Sequence, residues 1–192
     1  MSKEPSPRPI VKMPAKVLRR KAAEVDALNI NSRPTRDLIA DMKTTLASTA
    51  DGIGLAAPQV GKSLRIFIVS EEAEEIDRAE KAEWKRRKRE NPEVETEKPY
   101  EKREWKYYVF INPVVKKSSQ RKLEGPEGCL SVPGTFGLVK RSEKITVEAY
   151  DERGKKITRG ASRFFARVMQ HELDHLDGIL FIDKSKEVFI QK

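Results

Sequence analysis

The chain has only two histidines, His171 and His175, and they stand four positions apart in His171-Glu172-Leu173-Asp174-His175. Four residues make slightly more than one helical turn, so on a helix both imidazoles share a face and can reach one point in space. The flanking pattern supports a helix from Ser162 to Leu176, stopped by Gly178. Phe164, Val168, His171 and His175 fall on one stripe, while Phe165, Met169 and Leu176 pack behind it. Such a helix carries its histidines at the edge of a core. Chance spacing is the competing account, but a chain that uses histidine nowhere else has little packing reason to pair both here.

Two imidazoles so placed can hold one metal ion, and Glu172, beside that face, is better positioned to handle a proton than to ligate. A catalytic tetrahedral site needs three protein ligands and one open position. Beyond His175 the candidate third ligands are Asp177, Asp183 and Glu187. Before it stands Cys129, the sole cysteine, in Glu127-Gly128-Cys129-Leu130-Ser131. One cysteine excludes an internal disulfide and leaves three readings: a small core residue, a nucleophile or a ligand. Gly125 and Gly128 would let the backbone approach a metal, and a thiolate suits zinc or iron. Residue types also suggest a buried Glu127–Arg141 pair steadying the cysteine loop.

Elsewhere the periodicities predict an α+β fold: a single domain of antiparallel β-sheets packed around a long C-terminal helix that carries HExxH. Residues 1–13, with Pro5, Pro7 and Pro9, read as a disordered lead-in. A short helical turn is expected in Val17–Val25. A helix follows, with Ser32 as cap, Pro34 just inside, and Leu38, Met42 and Leu46 on one face. Residues 51–61, rich in glycine, read as irregular. Strands are expected at 64–70, 107–115, 138–151 and 155–161, the last two joined by a turn at Glu152-Arg153-Gly154. Glu71 to Lys106 is mostly Glu, Lys and Arg and reads as a charged insertion, helical in its first half. Residues 186–192 read as a short tail.

Three stretches, Gly52-Ile53-Gly54-Leu55-Ala56-Ala57-Pro58-Gln59, Glu127-Gly128-Cys129-Leu130-Ser131 and Gln170-His171-Glu172-Leu173-Asp174-His175, resemble the three signature motifs of peptide deformylases, in that family's order. The resemblance spans roughly residues 14–185. It implies a metal held by Cys129, His171 and His175, with Glu172 as general acid/base, and an oxyanion hole from the Gln59 side chain and the Leu130 backbone N–H. It implies hydrolysis of the N-formyl group of formyl-methionine on nascent polypeptides by metal-bound hydroxide, releasing formate. The implied metal is Fe2+ in the cell, with Zn2+, Ni2+ or Co2+ in purified protein. Gly54, Ile53, Phe164 and Val168 are candidates for substrate contact. For Gln59 a structural loop amide, and for the apolar residues plain core packing, are the competing readings.

The net charge of +9 suggests an acidic partner, although the basic residues are interspersed with 30 acidic ones. A transient ribosome contact through Lys85-Arg86-Arg87-Lys88-Arg89 is the specific form of that expectation. No apolar run is long enough to span a membrane, and the opening residues lack a secretory pattern. A cytoplasmic monomer is expected. Two rival functions share the HExxH signal: a peptidase cutting internal bonds, with a carboxylate or histidine third ligand, and an RNA-associated protein with a closed structural metal site.

Overall fold

The computed structural model describes residues 4–87 and 106–190, with residues 80–87 described by backbone only. Strand β2, Ile66–Ser70, explains the layering of the whole fold. Its run Ile66-Phe67-Ile68-Val69 is fully buried because alternate side chains face opposite layers. Ile66 and Ile68 join one apolar cluster, Phe67 and Val69 another. The first cluster is closed by helix α1, Arg33–Ala47, through Leu38, Met42 and Leu46. The second is closed by helix α3, Arg163–Leu176, through Phe165, Met169 and Leu176. The stripe expected to pack behind the histidines does so.

β2 lies in a five-stranded antiparallel sheet of order β1-β2-β3-β6-β7. Its other members are β1, Gly54–Ala56; β3, Tyr107–Ser118; β6, Lys144–Tyr150; and β7, Lys156–Ser162. A second sheet, order β4-β5-β8, is formed by Lys122–Cys129, Val132–Ser142 and Val188–Ile190. The antiparallel α+β architecture around a C-terminal helix is therefore the observed one. The two sheets are stitched through α3 by Arg167. Its guanidinium donates to the carbonyls of Leu123, Gly125 and Val139 at 2.9, 3.1 and 2.8 Å.

Several local expectations need correction. The segment 138–151, read as one strand, breaks at Glu143, and its halves join different sheets. The glycine-rich stretch before it is strand, β4 and the start of β5, because pairing with a neighbour supplies the backbone partners that glycine propensity alone does not predict. In the same way Gly54–Ala56, inside a supposedly irregular loop, pairs with β2. Ser32 precedes α1 but does not cap it; its hydroxyl meets that of Thr35 at 3.2 Å.

The N-terminal lead-in also departs from expectation over its described part. Prolines deprive it of local hydrogen bonds, but its remaining amides find distant acceptors. Ser6 N–H donates to Asp41, Arg8 N–H to Thr45, Val11 N–H to the Gln59 carbonyl and Met13 N–H to the Ser131 carbonyl. At the other end, residues 188–190 of the expected tail pair with β5. The charged insertion begins as helix α2, Glu72–Arg87, whose first turns pack on α3. Residues 88–105, and with them part of the basic cluster at 85–89, lie outside the described residues.

Candidate metal centre and active site

Cys129 closes β4 at an irregularity in its register with β5, where the paired strands make their tight turn through Leu130 and Ser131. That turn aims the thiol at α3. The ligand atoms of Cys129, His171 and His175 all lie within 4.8 Å of one another. Sγ of Cys129 is 3.2 Å from Nε2 of His175. Standard zinc–thiolate and zinc–imidazole lengths at a tetrahedral angle put sulfur and nitrogen about 3.6 Å apart, so the donor set fits a single cation. Burial, then the positive charges of His171 and Arg141, hold His175 well below the ordinary histidine range. A metal requires neutral imidazoles at both positions. Burial opposes charge on His171, but its hydrogen bonds to Cys129 and Glu127 raise it to about 10, so a cation must displace that proton. Of the other ligands considered, Asp177 pairs with Arg65 and Asp183 with Arg19, and Glu187 is exposed. Among the described residues no other group of three such side chains converges.

His171 is oriented from behind. Its Nδ1 lies 2.9 Å from Oε2 of Glu127, leaving Nε2 for the cation. Glu127 in turn accepts from Nε and Nη2 of Arg141, each at 2.8 Å, and from Nη1 of Arg167 at 2.9 Å. The Glu127 and Arg141 side chains are both only 4% exposed, so the suspected pair is present and buried. Burial opposes charge on Glu127, but the hydrogen bonds from Arg141 and His171 prevail and lower its carboxyl to about 2. Arg141 also reaches Asp174, which Lys184 contacts from outside at 2.6 Å. The chain of charge therefore runs from the solvent edge to the imidazole.

A cleft of about 520 Å³ opens beside the ligands, lined among others by Ile53, Gly54, Gln59, Leu130, Phe164, Val168 and Glu172. All the residues expected to touch substrate are thus brought to one cavity, together with Cys129 and His171. Gln59 is buried, and its Oε1 accepts from Ala56 N–H at 2.8 Å. That bond turns Nε2, the donor, toward Cys129 Sγ at 3.7 Å and Ser131 Oγ at 3.3 Å. Glu172 is 3% exposed, and its Oε2 has no hydrogen-bond partner among the described residues. Burial, with the Glu127 carboxylate adding and His171 opposing, raises the Glu172 carboxyl to about 7.

Gly54 has a role that its sequence context does not reveal. A Cβ there would come 2.3 Å from Oε1 of Glu172, so a larger residue would push the carboxylate away from the strand. The sequence pattern gives Arg167 no role, and Asp174 none beyond its place in the motif. Their signal was present: both lie on the helix within one or two turns of His171, toward the buried side, and buried charges demand partners.

The chain matches the family model described as polypeptide deformylase over residues 7–189. It is 40% identical over 168 residues to peptide deformylase 1A, chloroplastic/mitochondrial, of Arabidopsis thaliana, covering 88% of this chain and 57% of that protein. It is 38% identical over 180 residues to a peptide deformylase of Thermus thermophilus, covering 91% and 82%. The chain thus spans less than two thirds of the plant relative and most of the bacterial one. Among solved structures, a Met-Ala-Ser-bound class I type b peptide deformylase from Acinetobacter baumannii superposes with a TM-score of 0.71 at 32% identity, covering 96% and 99% of the two chains.

Proposed function

From the premise that this chain belongs to the polypeptide deformylase family, we propose that it hydrolyses the N-formyl group of formyl-methionine on nascent polypeptides. The observation that carries the proposal is the convergence of Cys129, His171 and His175 beside a cleft lined by Cys129, His171 and Glu172. These three residues would hold a divalent cation. When bound, the cation supplies Lewis acidity, which lowers the pKa of water from about 15.7 toward 7.

The chain's own groups account for the remaining work. Water adds its oxygen to the formyl carbon, and the carbon–nitrogen bond breaks to leave formate and a free amine. Glu172 takes the proton from the attacking water and delivers it to the departing nitrogen. Burial favours the protonated form of this carboxyl, which suits it to accept a proton and hand it on. Nε2 of Gln59 and the backbone N–H of Leu130 are the donors for negative charge developing on the formyl oxygen. Ile53, Phe164 and Val168 line the part of the cleft that takes the methionine side chain, and Gly54 admits the substrate backbone.

Thiolate and imidazole ligands suit Fe2+, our choice for the cell, and equally Zn2+, Ni2+ or Co2+ in purified protein. No described helix is long and apolar enough to cross a membrane. A cytoplasmic monomer, transiently touching the ribosome through its basic surface, is consistent with the net charge of +9.

The test is formate release from formyl-Met-Ala-Ser, with the unformylated peptide as control and metal analysis on the same sample. Wild type should carry metal and release formate, and Cys129→Ser should lose both together. A metal-loaded wild type that releases no formate, or a Cys129→Ser variant with undiminished metal content, would overturn the proposal.

A further inference from the structure

The metal-bearing helix starts under awkward conditions. β7 runs into α3 with no intervening loop, and Arg163, the joint, sits at φ 48°, in the left-handed region that favours glycine. Its N–H is taken by the Glu143 carbonyl at 2.7 Å. Ser162, the residue in the capping position, makes no side-chain bond to the helix. The first amides of a helix have no partner within it, so Phe164 and Phe165 N–H need an acceptor from elsewhere. The carboxylate of Asp77, on α2 of the charged insertion, supplies it: Oδ1 accepts from Phe164 at 2.8 Å and Oδ2 from Phe165 at 3.4 Å.

Further contacts fix the carrier of that carboxylate. Glu74, one turn earlier on α2, accepts from Tyr108 Oη at 2.6 Å and pairs with Arg159. The Arg159 guanidinium lies over the rings of Tyr108 and Phe165, 4.6 and 5.6 Å from their centroids. The two residues capped by Asp77 then diverge in role. Phe165 is buried in the core, while the Phe164 side chain lines the catalytic cleft.

We infer that Asp77 is a positioning residue for substrate selection: a carboxylate borrowed from the charged insertion clamps the strained β7–α3 corner and so sets where Phe164 stands in the side-chain pocket. This deepens the proposed function and rests on it. The insertion's first turns then belong to the catalytic domain, although its composition suggests a solvated excursion. The metal ligands lie two or more turns further along α3, where helix hydrogen bonds hold them, so Asp77 acts on the pocket rather than on the metal.

The experiment compares wild type, Asp77→Ala and Asp77→Asn as metal-loaded full chains on formyl-Met-Ala-Ser and formyl-Ala-Ala-Ser, with metal content measured throughout. Asp77→Ala should reduce the preference for the methionine peptide about tenfold, the scale on which an apolar pocket discriminates, through KM with kcat nearly unchanged. Asp77→Asn, which keeps an acceptor oxygen for Phe164, should restore most of the preference. Metal content should not change. An equal loss on both peptides, or no change in preference, would overturn the inference. Amide hydrogen exchange on wild type gives a check independent of whether Asp77→Ala folds: the Phe164 amide should be protected, and free exchange there would also overturn it. Failure of wild type to release formate from either peptide would instead defeat the functional reading.

Discussion

Glu127 and His171 meet through Oε2 and Nδ1 at 2.9 Å, and the same carboxylate is saturated by Arg141 and Arg167. The contact fixes the imidazole's orientation with a charge that two buried guanidiniums hold in place. Glu127→Gln preserves shape and removes the charge. With Arg167 deprived of its carboxylate and Arg141 keeping only Asp174, unfolding free energy should fall by roughly 3–5 kcal/mol and metal affinity by about 10–100-fold. Chemical denaturation and metal titration measure the two effects. Unchanged metal affinity in a folded variant would show that the imidazole is held in place without Glu127.

Glu172→Gln separates chemistry from structure. The buried Oε2 has no partner among the described residues and the carboxyl is raised to about 7 by burial, so the neutral amide relieves a cost. The variant should be at least as stable as wild type and bind metal normally. Its formate release should fall by about 10²–10⁴-fold, the range of a lost general acid/base. Wild-type turnover would remove Glu172 from its role.

Gly54→Ala tests the close approach of β1 to Glu172. The new methyl would stand 2.3 Å from Oε1, and the side chain can swing away more easily than the strand can move. The variant should fold, retain metal and lose about 10²-fold in kcat, as expected for a reacting group displaced by about 1 Å. A crystal structure of the variant should show the Glu172 carboxylate shifted. An unmoved carboxylate with full activity would count against the crowding argument.

Asp183 links the short helix α4, Phe181–Lys184, to Arg19 near the chain start. Slight burial would raise its carboxyl, but Arg19 and the Leu180 amide outweigh this and hold it below the ordinary Asp range. A depressed folded-state pKa adds stability above the unfolded value that is lost as pH falls through the folded one. Because the pair is 38% and 39% exposed, its contribution is about 1 kcal/mol at most after solvent screening. Asp183→Asn should therefore be slightly less stable than wild type at neutral pH. The gap should close on acidification below the Asp range and shrink in high salt, as followed by denaturation midpoints.

Much of the site was legible because its chemistry uses scarce residue types in rigid local patterns. Two histidines at helical spacing and one cysteine among glycines leave few alternatives, and the apolar run around Ile66–Val69 reads directly as a buried strand. The less legible parts depended on partners remote in sequence. The Gly54–Ala56 strand exists because β2 lies beside it, and the lead-in is ordered because Asp41, Thr45, Gln59 and Ser131 accept its amides.

The sequence by itself determined which scarce side chains could donate to a metal, the helix that carries two of them and the general character of the layers, since these follow from composition and periodicity within short windows. Only the tertiary structure decided that Cys129, and none of the later carboxylates, lies within reach of both imidazoles. It also decided that Glu127, Arg141, Arg167 and Asp174 form one network, and that Asp77 caps a helix 86 residues away from it in the chain, at Arg163. A buried charge must find a counter-charge, and an unpaired amide an acceptor, but which one is set by chain packing, not by local pattern.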